Sequence, residues 1–260
     1  MNSDKVAGMN WIAGAFVALI GLCFFELAQA DVPAFDRPGI AFSTGTLPAR
    51  SVTWEQGLPD FARTSDGGTD STLYAFDSTL RVGLTDSVEA QIATSLNESK
   101  THSTGSTEHS DGRGDLSVAI KAGLPSSRSD FSWATLAAVT YANGGRAFTN
   151  GSTAYDLGVA LGYSFTDRVS SELYMNAEHT DGSNAFDVSP NLNFALSRTI
   201  AAFAEAAASY SGHGLDQALV GGGFTMMVTG AVQLDLSADF GLTSSSPDVL
   251  AGFGISVFFE

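Results

Sequence analysis

The sequence predicts an all-β fold: a transmembrane up-and-down antiparallel β-barrel of about 12 strands. Three observations predict it. Segments of ten or so residues alternate apolar and polar side chains from residue 50 onward. The connections between them are alternately short and long. The polar positions are filled by Gly, Ser, Asn and carboxylates, with only Lys5, Lys100 and Lys121 as lysines. Alternation at period two gives a strand one apolar face and one wet face. Soluble sandwiches alternate too, with the polar face outward. That face ordinarily carries more lysine and more mixed charge than this chain supplies, so the apolar face is assigned to lipid.

The clearest pattern closes the chain. Val232, Leu234, Leu236, Ala238 and Phe240 share one face of a strand, and Gln233, Asp235, Ser237 and Asp239 share the other. After Ser244-Ser245-Ser246-Pro247 the pattern repeats, with Val249, Ala251, Phe253, Ile255, Val257 and Phe259 against Gly252, Gly254 and Ser256. A strand pair ending on an aromatic is how bacterial outer-membrane barrels close.

The chain divides into three parts. Residues 1–30 read as a signal peptide: Lys5 precedes an apolar run from Trp11 to Phe25, and Ala28-Gln29-Ala30 gives the small-x-small cleavage pattern. Cys23, the one cysteine, follows Leu22 rather than a small residue, which argues against lipid attachment, and cleavage leaves no thiol. Residues 31–49 hold Pro33, Pro38 and Pro48, a density that excludes helix and central strand. They are expected to form an irregular lead-in, inside the lumen or at the periplasmic mouth. Residues 50–260 form the barrel.

Within the barrel, Arg50–Ala62 is a first strand interrupted by Gly57 and Pro59. Ser71–Leu84 and Val88–Asn97 follow, joined by Thr85-Asp86-Ser87. The polar stretch from Glu98 to Arg113 reads as a solvated loop. Gly114–Leu124, Phe131–Ala142, Tyr155–Phe165, Val169–Thr180 and Ala185–Ser197 alternate in turn. Thr199–Ser211 is rich in alanine, but its hairpin neighbours favour strand, and Gln217–Val228 precedes the closing pair. Short turns follow the even strands and longer loops the odd ones, the asymmetry of short periplasmic turns and long extracellular loops. Trp54, Trp133, Tyr163, Phe165 and Phe259 fall near one end of their strands, and Tyr74, Tyr141, Tyr155 and Tyr210 near the other, as two interfacial belts.

The wet faces carry the candidate site. Glu55, Asp77, Arg81, Glu89, Lys121, Asp156, Glu172, Glu205, Asp235 and Asp239 are expected to face the lumen and meet solute there. Two readings stand side by side: a charged eyelet that filters solutes, or a filled interior in which Arg81 and Lys121 bridge Glu55, Glu89 or Glu205. Acidic residues number 28 against 12 basic ones, which excludes binding to nucleic-acid phosphates. No catalytic residue, cofactor or metal is expected. His102, His109, His179 and His213 fall in loops or at strand ends, where no strand fixes a nucleophile–base geometry for a lipid hydrolase. Arg113-Gly114-Asp115 is an adhesion-like tripeptide that also simply opens a strand, and Asp66, Asp70 and Asp111 lack metal-ligand spacing.

Short motifs add a resemblance. Asp36-Arg37-Pro38-Gly39, Glu55-Gln56-Gly57-Leu58-Pro59-Asp60, Leu80-Arg81-Val82-Gly83-Leu84-Thr85-Asp86, Gly114-Asp115-Leu116 with Lys121, Tyr163–Arg168 and Gln233–Phe259 resemble the proteobacterial outer-membrane transporter family labelled MetA-pathway of phenol degradation. Glu260 departs from it, since such barrels stop on the aromatic. The resemblance implies a barrel in the bacterial outer membrane, in contact with lipid and lipopolysaccharide and inserted by the barrel-assembly machinery. It implies passive passage of small solutes, aromatic or hydrophobic compounds among them, and no enzyme activity. The alternatives are a structural or surface-binding barrel with a plugged lumen and, behind it, an outer-membrane lipid hydrolase.

Overall fold

Antiparallel strands make up most of the chain beyond residue 51. The structure, a computed structural model, describes residues 35–103, 105–212 and 214–260. The expected signal peptide, the first residues of the lead-in and His213 lie outside the described residues. The strands in chain order are β1 (Val52–Gly57), β2 (Asp60–Asp66), β3 (Thr69–Thr85), β4 (Val88–Ser103), β5 (Ser106–Arg113), β6 (Leu116–Leu124), β7 (Phe131–Tyr141), β8 (Ala154–Thr166), β9 (Val169–Thr180), β10 (Ser183–Ala195), β11 (Ile200–Ser211), β12 (Gly214–Thr229), β13 (Val232–Gly241) and β14 (Val249–Phe259).

These fourteen strands build twelve staves. β1 and β2 are one stave broken at Leu58-Pro59, because both lie between β3 and β14. Proline has no N–H to give the ladder; the Leu58 N–H bridges the break by donating to Phe253 O at 2.7 Å. β5 and β6 likewise share β4, β5 along Leu96–Ser103 and β6 along Val88–Ala93. From β6 to β14 each strand pairs with the next. Val52 then meets Phe259 and closes the ring. Closure pairs every stave on both sides, the condition for crossing hydrocarbon with strands.

The faces divide as the alternation predicts. On β13, Leu236 and Phe240 point outward, 56% and 54% exposed, whereas Asp235 and Asp239, each immediately before one of them, are 2% and 6% exposed. The largest fully buried side chains of the described residues are Arg81, Lys121, Leu47, Glu55 and Glu89. An interior built of ions beneath an apolar exterior inverts the arrangement of a soluble β-protein. Residues Ile200–Ser211 are strand, as their neighbours required, despite the alanines.

One expectation is overturned. The polar stretch from Glu98 to Arg113 is no loop: β4 continues to Ser103 and β5 returns from Ser106, paired from Leu96↔Arg113 to Ser103↔Ser106 around Gly105 at φ +86°. β3 flanks the same extension, with Asp70 opposite His102 and Thr72 opposite Lys100. His109 is accordingly held in a strand opposite Lys100. Strands of 16 and 17 residues overrun the 9–11 needed to cross a bilayer, so the hairpin stands in water on both faces. No alternation is imposed there, and the ladder persists without it.

The lead-in fills the ring. From Asp36 to Leu47 its atoms bond side chains on β1, β3, β4, β6, β7, β9, β11 and β13. A segment bonded to strands all around a barrel lies inside it. Its last residues sit at the short-turn end, where Thr46 Oγ1 donates to Asp86 O at 3.3 Å and Ala49 N donates to Asp86 Oδ1 at 3.1 Å.

Candidate functional site

Two clusters hold the lead-in, and both are built from alternating inward positions. In the lower cluster Arg81, on β3, is fully buried. Its Nε and Nη2 donate to Glu89 Oε1 and Oε2 at 2.8 and 3.1 Å, and its Nη1 to Glu55 Oε1 at 2.8 Å. β3 lies between β1 and β4, and the two glutamates stand diagonally from Arg81 on the same inward face, Glu55 opposite Thr79 and Glu89 opposite Gly83. Their remaining capacity goes to the lead-in. Glu55 accepts Asp36 N at 3.1 Å and Arg37 N at 2.7 Å, and Glu89 accepts Leu47 N at 2.7 Å. Asp36 Oδ1 takes Lys121 Nζ at 2.8 Å, Ser43 N at 2.8 Å and Ser43 Oγ at 2.9 Å. Lys121 also lies over the Phe42 ring, 5.3 Å from its centroid, and Phe42 meets Tyr174 edge-on at 5.1 Å. Buried charges persist when paired and hydrogen-bonded on all sides, and this cluster meets that condition.

The upper cluster centres on Arg37. Its Nη1 and Nη2 form a fork with Asp60 Oδ2 and Oδ1 at 2.8 and 2.9 Å, and Nη2 reaches Asp235 Oδ1 at 3.2 Å. Such two-pronged pairing is what guanidinium geometry favours. Gly252 and Gly254 on β14 leave room for it; a methyl group on Gly254 would overlap the guanidinium. Gln233 Nε2 donates to Arg37 O at 2.9 Å.

All ten sequence-predicted lumen residues face inward, but they fall into different roles. Glu55, Arg81, Glu89 and Lys121 form the lower cluster, and Asp235 joins the upper one. Glu205 was expected as a partner for a base; it instead accepts Ile40 N at 3.0 Å. Glu172 accepts Thr44 N at 3.3 Å, and Asp156 accepts Asn176 Nδ2 at 3.0 Å. Asp77 and Asp239 line a cavity of about 300 Å³ above Arg37 and Ile40. A second cavity of about 280 Å³ lies on the far side of Ile40, against Tyr174, Asp187, Ser189 and Gln217. Sequence reasoning missed Asp36, Arg37 and Asp60, the lead-in charges and their wall partner. The visible signal was an Asp-Arg pair beside prolines, but no periodicity says where such a pair points.

At the outer rim Asp115, between β5 and β6, accepts Gly144 N at 2.7 Å and Asn150 N at 2.8 Å. Burial raises its pKa, and these backbone N–H groups outweigh burial to leave it below the usual aspartate value. The tripeptide at residues 113–115 thus organises the loop after β7. Among the described residues no cluster of three or more His, Cys, Asp or Glu is placed to hold a metal.

Solved barrels share this architecture. A COG4313 outer membrane channel from Pseudomonas putida F1 superposes with a TM-score of 0.67 at 12% identity, covering 90% of this chain and 100% of that one. The KdgM porin in complex with oligogalacturonate gives 0.54 at 10% identity, covering 81% and 99%. The translocator domain of the autotransporter NalP from Neisseria meningitidis gives 0.52 at 12% identity, covering 82% and 90%. Porins and a translocator domain appear together, so these likenesses establish the fold alone. A search of curated protein sequences finds no relative. The model of one family matches residues 35–259, which takes in the lead-in and every stave, and the chain therefore belongs to the family described as "Putative MetA-pathway of phenol degradation".

Proposed function

We propose that the chain is a narrow, cation-preferring channel of the bacterial outer membrane, through which small solutes pass passively. One observation carries this reading: the inward acids outnumber the inward bases. Three bases, Arg37, Arg81 and Lys121, are each paired with carboxylates, while among the described residues no base pairs with Asp239 or Glu205. Fixed lumen charge selects ions of the opposite sign, and low-dielectric walls strengthen the effect. The lead-in narrows the passage below. Apolar residues on the cavity wall, Leu73, Leu250 and Ile40, suit solutes with an aromatic or aliphatic body.

The setting follows from the same reading. Residues 1–30 direct export and are removed, the barrel-assembly machinery inserts the strands, and outer-membrane lipid and lipopolysaccharide surround the apolar exterior. The completeness of the lower ion cluster favours a second reading, a structural barrel with a permanently filled lumen. Reversal potentials in planar bilayers under a KCl gradient separate the two. Small single-channel steps with cation preference are expected. Anion preference, or electrical silence of correctly folded protein, would overturn the channel.

A further inference from the structure

Asp239 is the least satisfied charge of the described lumen. Its residue is 6% exposed, Oδ1 is buried without a hydrogen-bond partner, and no ion pair among the described residues reaches it. Its position follows from register. Asp239 stands opposite Gly221 on β12, and Glu205 stands opposite the same glycine from β11. With no side chain between them, Asp239 leans over Gly221 so closely that a methyl group there would collide with its carboxylate. Glu205 leaves its own Oε1 unpartnered.

The cavity that Asp239 lines has a mixed wall. Asp60 is committed to Arg37 and Asp77 hydrogen-bonds Asp60, which leaves Asp239 as the unengaged carboxylate of the wall, and Leu73, Leu250, Ala62, Pro38 and Ile40 supply hydrocarbon. A carboxylate withdrawn from water and left alone is costly, and a cation at the site removes the cost. A hard metal ion is a poor candidate, since it needs six or more oxygens and half this wall is apolar. A neutral apolar solute would fill the space and leave the charge uncompensated. An ammonium group brings a compact charge and N–H donors that the Asp239 carboxylate can accept.

We propose that this cavity binds a small organic monocation, a primary amine on an apolar body, with its ammonium on Asp239 and its hydrocarbon against Leu250, which stands opposite Asp239 on β14, and Leu73. The inference deepens the channel reading by naming the class of solute, and it rests on the same inward carboxylates.

The test is equilibrium binding to the full chain refolded in detergent, with protein-free micelles subtracted. The probes are 2-phenylethylammonium chloride, the neutral 2-phenylethanol and ammonium chloride. Saturable binding of one amine per chain is expected, at least about tenfold tighter than the alcohol or the bare ammonium ion, because each lacks one half of the match. Asp239→Asn should weaken the amine by about tenfold or more, and if that variant does not fold, Leu250→Ala, directly opposite Asp239, should weaken the amine several-fold while leaving bare ammonium unchanged. Asp111→Asn on the outer hairpin should leave binding unchanged. Equal affinity for alcohol and amine, wild-type affinity in folded Asp239→Asn, or no binding to folded wild type would each overturn the proposal; the last is what a protonated, neutral Asp239 would give. Binding needs no current, and KCl reversal potentials need no amine, so either reading can fail while the other stands.

Discussion

Lys121 Nζ sits 2.8 Å from Asp36 Oδ1, tying the lead-in to the barrel wall through a pair in which the lysine is fully buried. Arg81 Nε is 3.4 Å from the other oxygen of the same aspartate. Removing Asp36 therefore strips one partner from two buried cations at once. Asp36→Ala should lower stability by about 3–5 kcal/mol, the cost of breaking a buried pair from one side. The urea midpoint in micelles should fall, and single-channel conductance should rise as the lead-in loosens. Asp36→Asn keeps an oxygen for Ser43 and should lose less.

Gly83 shows how closely the lead-in is fitted. A methyl group there would overlap the Pro48 carbonyl, and Gly83 O accepts Arg50 N at 2.8 Å. Gly83→Ala should displace residues 47–49 from the short-turn rim and raise conductance. Gly230→Ala, in a turn with open space around the position, should do neither. Similar currents in the two variants would contradict the fit.

Leu236 tests the orientation of the whole sheet. It points outward between Phe224 and Phe253, near the middle of its strands. Leu236→Arg should cost about 2–4 kcal/mol, the price of a cation on the lipid face at mid-bilayer. Unfolding equilibria in vesicles measure it. A neutral result would place water, not hydrocarbon, at Leu236.

Asp115 gives a pH dependence with a definite sign. Its folded pKa lies below the ordinary aspartate value of 3.8, because Gly144 N and Asn150 N donate to the ionised form. The stabilisation is therefore fully present above the unfolded pKa and is lost as pH falls through the folded one. Hydrogen exchange at the amides of residues 144 and 150 should accelerate as pH drops below 3.8, after correction for intrinsic rates. Asp115→Asn should show fast exchange at every pH.

Much of the fold was legible because lipid and lumen impose one rule on every crossing residue. Asp235 and Leu236 could be assigned to opposite faces from their neighbours alone. Where the rule lapses, legibility lapses with it. Residues 98–113 stand clear of the bilayer, and Lys100 paired with His109 there shows no alternation to mark a strand. The Arg81 pairs with Glu55 and Glu89 were among those expected, since they join inward positions on adjacent staves. The lead-in was not legible in this way. Ile40 meets Glu205 across 165 residues, and Gln233 meets Arg37 across 196. Contacts so distant in sequence follow from three-dimensional fit, and proline content says only that the segment is not a strand.

The account depends on residues 35–49 lying inside the ring, and one crosslink tests that directly. Thr44 Oγ1 is 2.7 Å from Ser132 Oγ on β7, within reach of a disulfide if both become cysteine. In a Cys23→Ser background, Thr44→Cys with Ser132→Cys should crosslink nearly completely on mild oxidation of the folded barrel, while Thr44→Cys with an outward Val139→Cys should not. Equal crosslinking of both pairs, or none in the first, would put the lead-in somewhere other than the lumen.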